Sequence, residues 1–237
     1  TINNFTGNII EGDVDLNGKI EFNEKQAFNI KGNFNNIALN TLLQKSQIAK
    51  WDRVKIKLSS TNLSLSGIIN DKNPLSVLKG TIPITGLLYL TTTEEEKFGA
   101  TFLSLLVEKI PNISSISKAV NFIVVNYSNI PTSLNGVLQI KDGLIFSDEI
   151  LIKNNSGKST FNGFYNFIKN EIDGTIHFFE KNDVVVMAQL KGKIDNPEIL
   201  VGGKIFSENE EQPLQDIKKL FDEGINSLVD KLLNIDE

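Results

Sequence analysis

The sequence has no cysteine. Disulfides, thiolate metal sites and thiol nucleophiles are excluded together. The absence fits a reducing compartment, and equally an oxidising one in which pairing is avoided. Histidine occurs once, at His177. No stretch approaches the roughly 18 consecutive apolar residues of a membrane-spanning helix. Nor is there an excess of positive charge: 24 Lys and Arg against 29 Asp and Glu leave a net charge of −5. A nucleic-acid partner needs a basic face to neutralise phosphates, so none is expected. Docking to anionic lipid headgroups by charge alone is disfavoured for the same reason. The chain opens on Thr1 rather than methionine and shows no signal peptide. It is therefore expected to be a processed form or a piece of something longer.

What is present is ordinary globular material, 237 residues at 40% hydrophobic and 22% charged. That length suits one large β domain or two small ones. Asn is abundant, so the N-x-[ST] matches at Asn4, Asn62, Asn112, Asn126 and Asn154 are read as accidents of composition.

The dominant pattern has period two. Val14, Leu16, Gly18, Ile20 and Phe22 share one face, against Asp13, Asp15, Asn17, Lys19 and Glu21. Phe28, Ile30, Gly32 and Phe34 repeat the pattern, as do Val54, Ile56 and Leu58, and then Leu63, Leu65, Gly67 and Ile69. Leu78, Gly80, Ile82 and Ile84 follow. The second half continues with Leu138 and Ile140, Ile150 and Ile152, and the aromatic row Phe161, Tyr165 and Phe167. Ile172, Ile176 and Phe178 come next, then Val184, Val186, Ala188, Leu190 and Ile194. Turn signals separate the runs, among them Asn70-Asp71, Asp142-Gly143, Asn154 to Gly157, Lys169-Asn170 and Lys181 to Asp183. Gaps this short favour antiparallel neighbours. Pro197 can give no N–H to a ladder and biases Asn196 away from helix, so "DNP" ends one strand and re-aims the chain into "EILVGGKIF".

Three regions depart from alternation. Thr41 and Gln44 have capping-box spacing ahead of "LLQKSQIAKW", which predicts a short helix. Thr93 and Glu96 repeat the spacing, predicting a helix through Phe98, Phe102, Leu105 and Leu106 that ends before Pro111. A further helical piece is expected over 113–125, with "NFIVVN" open to either helix or strand. At 213–234, Leu214, Ile217, Phe221, Ile225, Leu228 and Leu232 form an amphipathic stripe behind Pro213. The expected organisation is a β-meander over 1–92, a helical insertion over 93–130, a second meander over 131–207 and a terminal helix over 208–237. Together they are expected to form one continuous unit.

Signals for chemistry are poor. His177 falls on the polar parity of "GTIHFFEK", with no nucleophile or orienting carboxylate at a recognisable spacing. "SGKST" at 156–160 resembles the end of a phosphate loop, but Ile152 stands where the loop needs its first Gly. A hairpin turn is the reading there. Asp13/Asp15 and Asp148/Glu149 read as solvated pairs, and Glu94 to Glu96 as a helix start. No enzyme, metal or cofactor is expected.

The expected fold class is mainly β with a few helices: a long twisted antiparallel sheet forming an open groove. Short helices and the C-terminal amphipathic helix would cover it only in part. An apolar face of that length must be closed, packed or left open for a guest. The candidate lining is Leu138, Ile140, Phe161, Tyr165, Phe167, Ile176, Phe178, Val186 and Leu190.

Residues 134–206 resemble the C-terminal region of AsmA-like proteins, the group that includes TamB-related members. The resemblance rests on Gly136, Asp142-Gly143, Ile150 and Ile152, Gly163, Ile172-Asp173-Gly174, and Leu190 through Pro197. It covers about a third of the chain strongly and the N-terminal half in style only. It implies a periplasmic protein of Gram-negative bacteria, attached to the inner membrane through a segment outside this chain. It also implies an apolar β groove that binds or conducts phospholipid acyl chains in outer-membrane biogenesis, with other envelope proteins as partners. No catalytic residues come with the family. Two rival expectations remain: a closed structural or interaction module in which helices seal the same face, and an enzyme using His177.

Overall fold

The computed structural model describes residues 2–45, 54–93, 111–194, 198–205 and 212–213. The expected helix from Thr93, the terminal helix and the "DNP" residues 195–197 lie outside the described residues. So does the stretch that follows Lys45 up to Arg53.

One antiparallel sheet runs through the chain in strict sequence order. Its strands are β1 (Ile2–Ile9), β2 (Gly12–Ile20), β3 (Ala27–Ala38), β4 (Val54–Ile68) and β5 (Lys79–Leu90). They continue as β6 (Thr132–Lys141), β7 (Leu144–Lys153), β8 (Lys158–Asn166), β9 (Glu171–Glu180), β10 (Asp183–Lys193) and β11 (Glu198–Gly202). A two-residue piece, β12 (Gln212–Pro213), pairs with β11. The helices are α1 (Leu39–Lys45), α2 (Pro74–Val77) and α3 (Pro111–Tyr127). The first and last strands are not joined, so the sheet is open and not a barrel. The two expected meanders are one sheet: β5 pairs with β6 from Gly80↔Ile140 to Leu88↔Thr132.

The turns follow their chemistry. Asp142 and Gly143, at φ 53° and 77°, make a two-residue hairpin whose left-handed backbone suits the twist of the strands. Asn154 Oδ1 accepts from the N–H groups of Ser156 and Gly157, each at 2.7 Å. "SGKST" is therefore the turn and first strand residues of β8. Ile10 and Glu11 turn the chain between β1 and β2 at φ 51° and 65°.

Two of the bulges interrupt the ladder where an asparagine takes the left-handed conformation. Asn36 in β3 and Asn62 in β4 lie at φ 56° and 62°, each at a register shift. The Asn36 N–H donates to Ser59 Oγ at 3.0 Å, and the Asn62 N–H to Asn33 Oδ1 at 2.9 Å. Pro83, inside an interior strand, is tolerated for a related reason. It falls in the gap between the Ser59↔Thr85 and Ser64↔Thr81 pairs, where the ladder to β4 is broken.

The stretch "NFIVVN" is helix, the end of α3. Asn129 terminates that helix at φ 56°, with Pro131 two residues on. Its N–H donates to the Leu90 carbonyl and its Nδ2 to the Thr92 carbonyl, both at 2.7 Å. Asn154 Nδ2 donates to the Asn126 carbonyl and to Thr132 Oγ1, both at 2.9 Å. The C-terminal end of α3 is thus fixed to the end of β5 and to the β7–β8 turn.

Candidate functional site

Residues directly opposite in an antiparallel ladder share a face. Following the register across the sheet yields one continuous apolar face. Phe5 faces Leu16, Val14 faces Phe34, and Ile30 faces both Gly18 and Leu65. Leu65 faces Gly80, Gly80 faces Ile140, and Ile82 faces Leu138. Beyond the bulge in β7, Ile150 faces Phe161, Phe161 faces Ile176, and Ile176 faces Ala188. Ala188 in turn faces Val201.

Of the nine residues expected to line the groove, eight lie on strands of this face. Leu138 and Ile140 are on β6, Phe161 and Tyr165 on β8, Ile176 and Phe178 on β9, and Val186 and Leu190 on β10. Phe167 lies just past β8, its ring edge-on to Tyr165 at 5.5 Å between centroids. Their environments differ. Val186 is 0% exposed and Phe178 is buried beneath α3, in a cluster with Ala119, Tyr127, Val185 and Val201. No surface of Val186 is left for a ligand. Ile140 is buried too, whereas Leu138, Phe161, Tyr165, Phe167, Ile176 and Leu190 are half-buried.

A second cluster gathers Ile56, Ile84, Leu134 and Ile150, with Phe34, Leu138 and Phe161 at its margin and Leu39 of α1 packed against it. Neither cluster reaches β1 or β2, and of β3 only Phe34 is included. There the same face stands open among the described residues. Leu16, Ile20, Phe28 and Ile30 are half-buried, while Phe5 and Ile9 are 50% and 43% exposed. Sequence parity had marked Leu16, Phe28 and Ile30 as face-sharing; it could not tell which strands a helix would cover. Phe5 and Ile9 were missed because Gly7 dilutes the alternation of β1.

Glycines on this face sit where strands approach closely. Gly163, at φ 152°, faces Gly174, and a Cβ added to it would lie 2.4 Å from the Gly174 Cα. The Phe161 ring fills the space over Gly174, and the Phe28 ring that over Gly67. This is aromatic covering of sheet glycines.

Buried hydroxyls punctuate the apolar face. Ser60, Ser147, Ser159 and the Tyr127 hydroxyl have no partner at hydrogen-bond geometry. Burial pushes the Tyr127 pKa up, and the neighbouring Ser159 hydroxyl pulls it partly back. Burial also raises the pKa of Tyr165, whose hydroxyl donates to Asn170 Oδ1 at 2.7 Å.

The opposite face is more polar, although Leu87, Val137 and Phe164 stand exposed on it. His177 lies there between Thr160 and Met187. Two shallow hollows open on that side. One, of 360 Å³, is lined by Thr6, Asn8, Asp13, Asp15, Asn33 and Asn35. The other, of 550 Å³, is lined by Phe146, Asp148, Asn162, Phe164, Asp173 and Thr175. Among the described residues no three His, Asp or Glu side chains gather as metal ligands, and no helix is long and apolar enough to cross a membrane. Among the described residues the chain presents a long apolar sheet face, covered at one end by α3 and open towards β1. No family model, no curated protein and no solved structure matches the chain.

Proposed function

We propose that this chain is the acyl-chain-binding part of a periplasmic envelope protein of the AsmA-like kind, acting without catalysis. The observation that carries the reading is the open apolar face over β1 to β3, continuous with the covered core. Water against such a face is costly. Each methylene buried there gains about 0.8 kcal/mol, so a lipid tail lying along it is held by several such contributions. Phospholipid is the proposed cargo, and the inner membrane, reached through a segment outside this chain, is the proposed site of attachment.

The test is native mass spectrometry of protein purified without detergent, followed by lipid extraction. Bound phospholipid is expected, and Ile30→Lys should abolish it while leaving the circular dichroism spectrum unchanged. Protein free of lipid after exposure to phospholipid vesicles would defeat the proposal. A second reading is favoured by α3, which seals the face over Phe178 and Val186. On that reading the whole face is closed by the protein's own elements, the module is structural, and Ile30→Lys unfolds it.

A further inference from the structure

The more polar face of the sheet carries two aromatic rings. Phe146 of β7 and Phe164 of β8 are directly opposed there across the ladder. Phe164 is 38% exposed and Phe146 half-buried. Neither makes a stacked or edge-on contact with another ring among the described residues. Both line the 550 Å³ hollow, and register sets polar groups around them. Asp173 faces Phe164, and Thr175 faces Asn162. Asp148 follows two residues after Phe146, at the bulge of β7. Strand spacing then puts Asp148 and Asp173 about 12 Å apart, two strands over and two residues along.

These polar groups are not used up within the fold. Among the described residues, the side chains of Asp148, Asn162 and Thr175 have no hydrogen-bond or ion-pair partner. Asp173 Oδ1 accepts from Gln189 Nε2 at 3.3 Å, which steadies the carboxylate and leaves its second oxygen open. No Lys or Arg lines the hollow. Lys191, opposite Asp173 on β10, forms no ion pair with it.

We propose that this hollow binds a short neutral oligosaccharide. A sugar ring has an apolar C–H face and a rim of hydroxyls. An aromatic ring takes the first, and the second needs acceptors and donors side by side. Phe164 is the platform, Asp148 and Asp173 accept, and Asn162 and Thr175 can do both. Concave sites of this size, apolar with a few converging polar groups, are the usual form of a small-molecule site. Other occupants fit worse. An anionic ligand, a phosphorylated sugar included, would meet two carboxylates and no cation in the lining. A compact organic cation would reach one carboxylate only and leave the amide and hydroxyl donors without acceptors. The chain's own apolar stripe from Leu214 to Leu232 would strip water from both carboxylates and return no donor. The hollow lies on the face opposite the proposed lipid surface, so this inference stands whether or not lipid binds.

The test is amide NMR of the full 237-residue chain, titrated to millimolar concentration with maltotriose, cellotriose and triacetylchitotriose. At least one should shift the amides of Asn162, Asp173 and Thr175. Phe164→Ala should weaken that sugar about tenfold, the loss of one aromatic contact. Asn162→Ala, at an exposed position, reads the same loss if Phe164→Ala does not fold. Leu87→Ala, exposed elsewhere on the same face, should leave binding unchanged. Spermidine, the cationic probe, should leave these amides in place. Silence with all three sugars, shifts centred outside the hollow, binding indifferent to the folded Phe164 or Asn162 variant, or a stronger response to spermidine would overturn the proposal.

Discussion

Tyr127 stands edge-on to Phe178, with ring centroids 5.5 Å apart and planes at 73°. One ring belongs to α3 and the other to β9, so this contact fastens the helix to the sheet above Val186. The same contact lies within the covered part of the apolar face.

Phe178→Ala is expected to cost about 3–5 kcal/mol, the usual loss when a large buried aromatic leaves a cavity. Ile30→Ala, on the uncovered part of the face, should cost about 1 kcal/mol. Urea unfolding of both variants measures the difference. Equal costs would mean that the face is covered alike at both places. Phe178→Lys should unfold the protein whether or not the rest of the face binds lipid, so Ile30 is the position that discriminates between the two functional readings.

The Tyr127 hydroxyl is buried without a partner at hydrogen-bond geometry. Tyr127→Phe should therefore be neutral or stabilising, within about 1 kcal/mol, since no bond is lost and a desolvation cost is removed. A clear destabilisation in thermal unfolding would show that the contact with Ser159 is a real hydrogen bond.

Burial holds the Tyr127 pKa above its ordinary value. The group is neutral when protonated, so the unfolded chain releases this proton first as pH rises. Its stability contribution is complete below the ordinary tyrosine value of about 10 and is lost as pH climbs through the raised folded value. Urea midpoints at pH 8 and in the alkaline range should diverge, and Tyr127→Phe should shrink the divergence. An identical alkaline loss in that variant would contradict the assignment.

Gly163→Ala should destabilise by several kcal/mol, because the new Cβ would lie 2.4 Å from the Gly174 Cα and 2.5 Å from the Asp173 carbonyl oxygen. Gly192→Ala is the control. Gly192 also has a positive φ, 104°, but nothing lies within 4 Å of its added Cβ, so only backbone strain of about 1–2 kcal/mol applies. Similar melting temperatures for the two variants would remove the case for a close strand approach at Gly163.

Ile10 turns the β1–β2 hairpin at φ 51°, a conformation that a β-branched side chain resists. Ile10→Asn should raise stability by about 1 kcal/mol, which thermal unfolding would register. A loss would show that the packing of Ile10 outweighs its strain.

The alternation of β2, β3 and β6 to β10 was plain because each strand has one wet and one apolar side. The turns at Asp142-Gly143 and Asn154 to Gly157 were equally plain, because their backbones need residues that accept left-handed or side-chain-bonded geometry. The β1–β2 turn was hidden: its left-handed positions hold Ile10 and Glu11, which carry no turn signature. "NFIVVN" was ambiguous, since its β-branched residues suit a strand. It is helix, and its end is tied to the sheet by Asn129, bonded to Leu90 and Thr92, and by Asn154, bonded to Asn126.

The sequence by itself determined which side chains share a face, because period two follows from backbone geometry and needs no tertiary contact. It also determined where many strands end, since Pro, Gly and Asn act on their own φ and ψ. Only the tertiary structure decided that both halves form one sheet, that Phe178 and Val186 lie under α3, and that Phe5 and Ile9 stand open at an edge. Those depend on contacts between residues far apart in the chain, which local periodicity cannot encode.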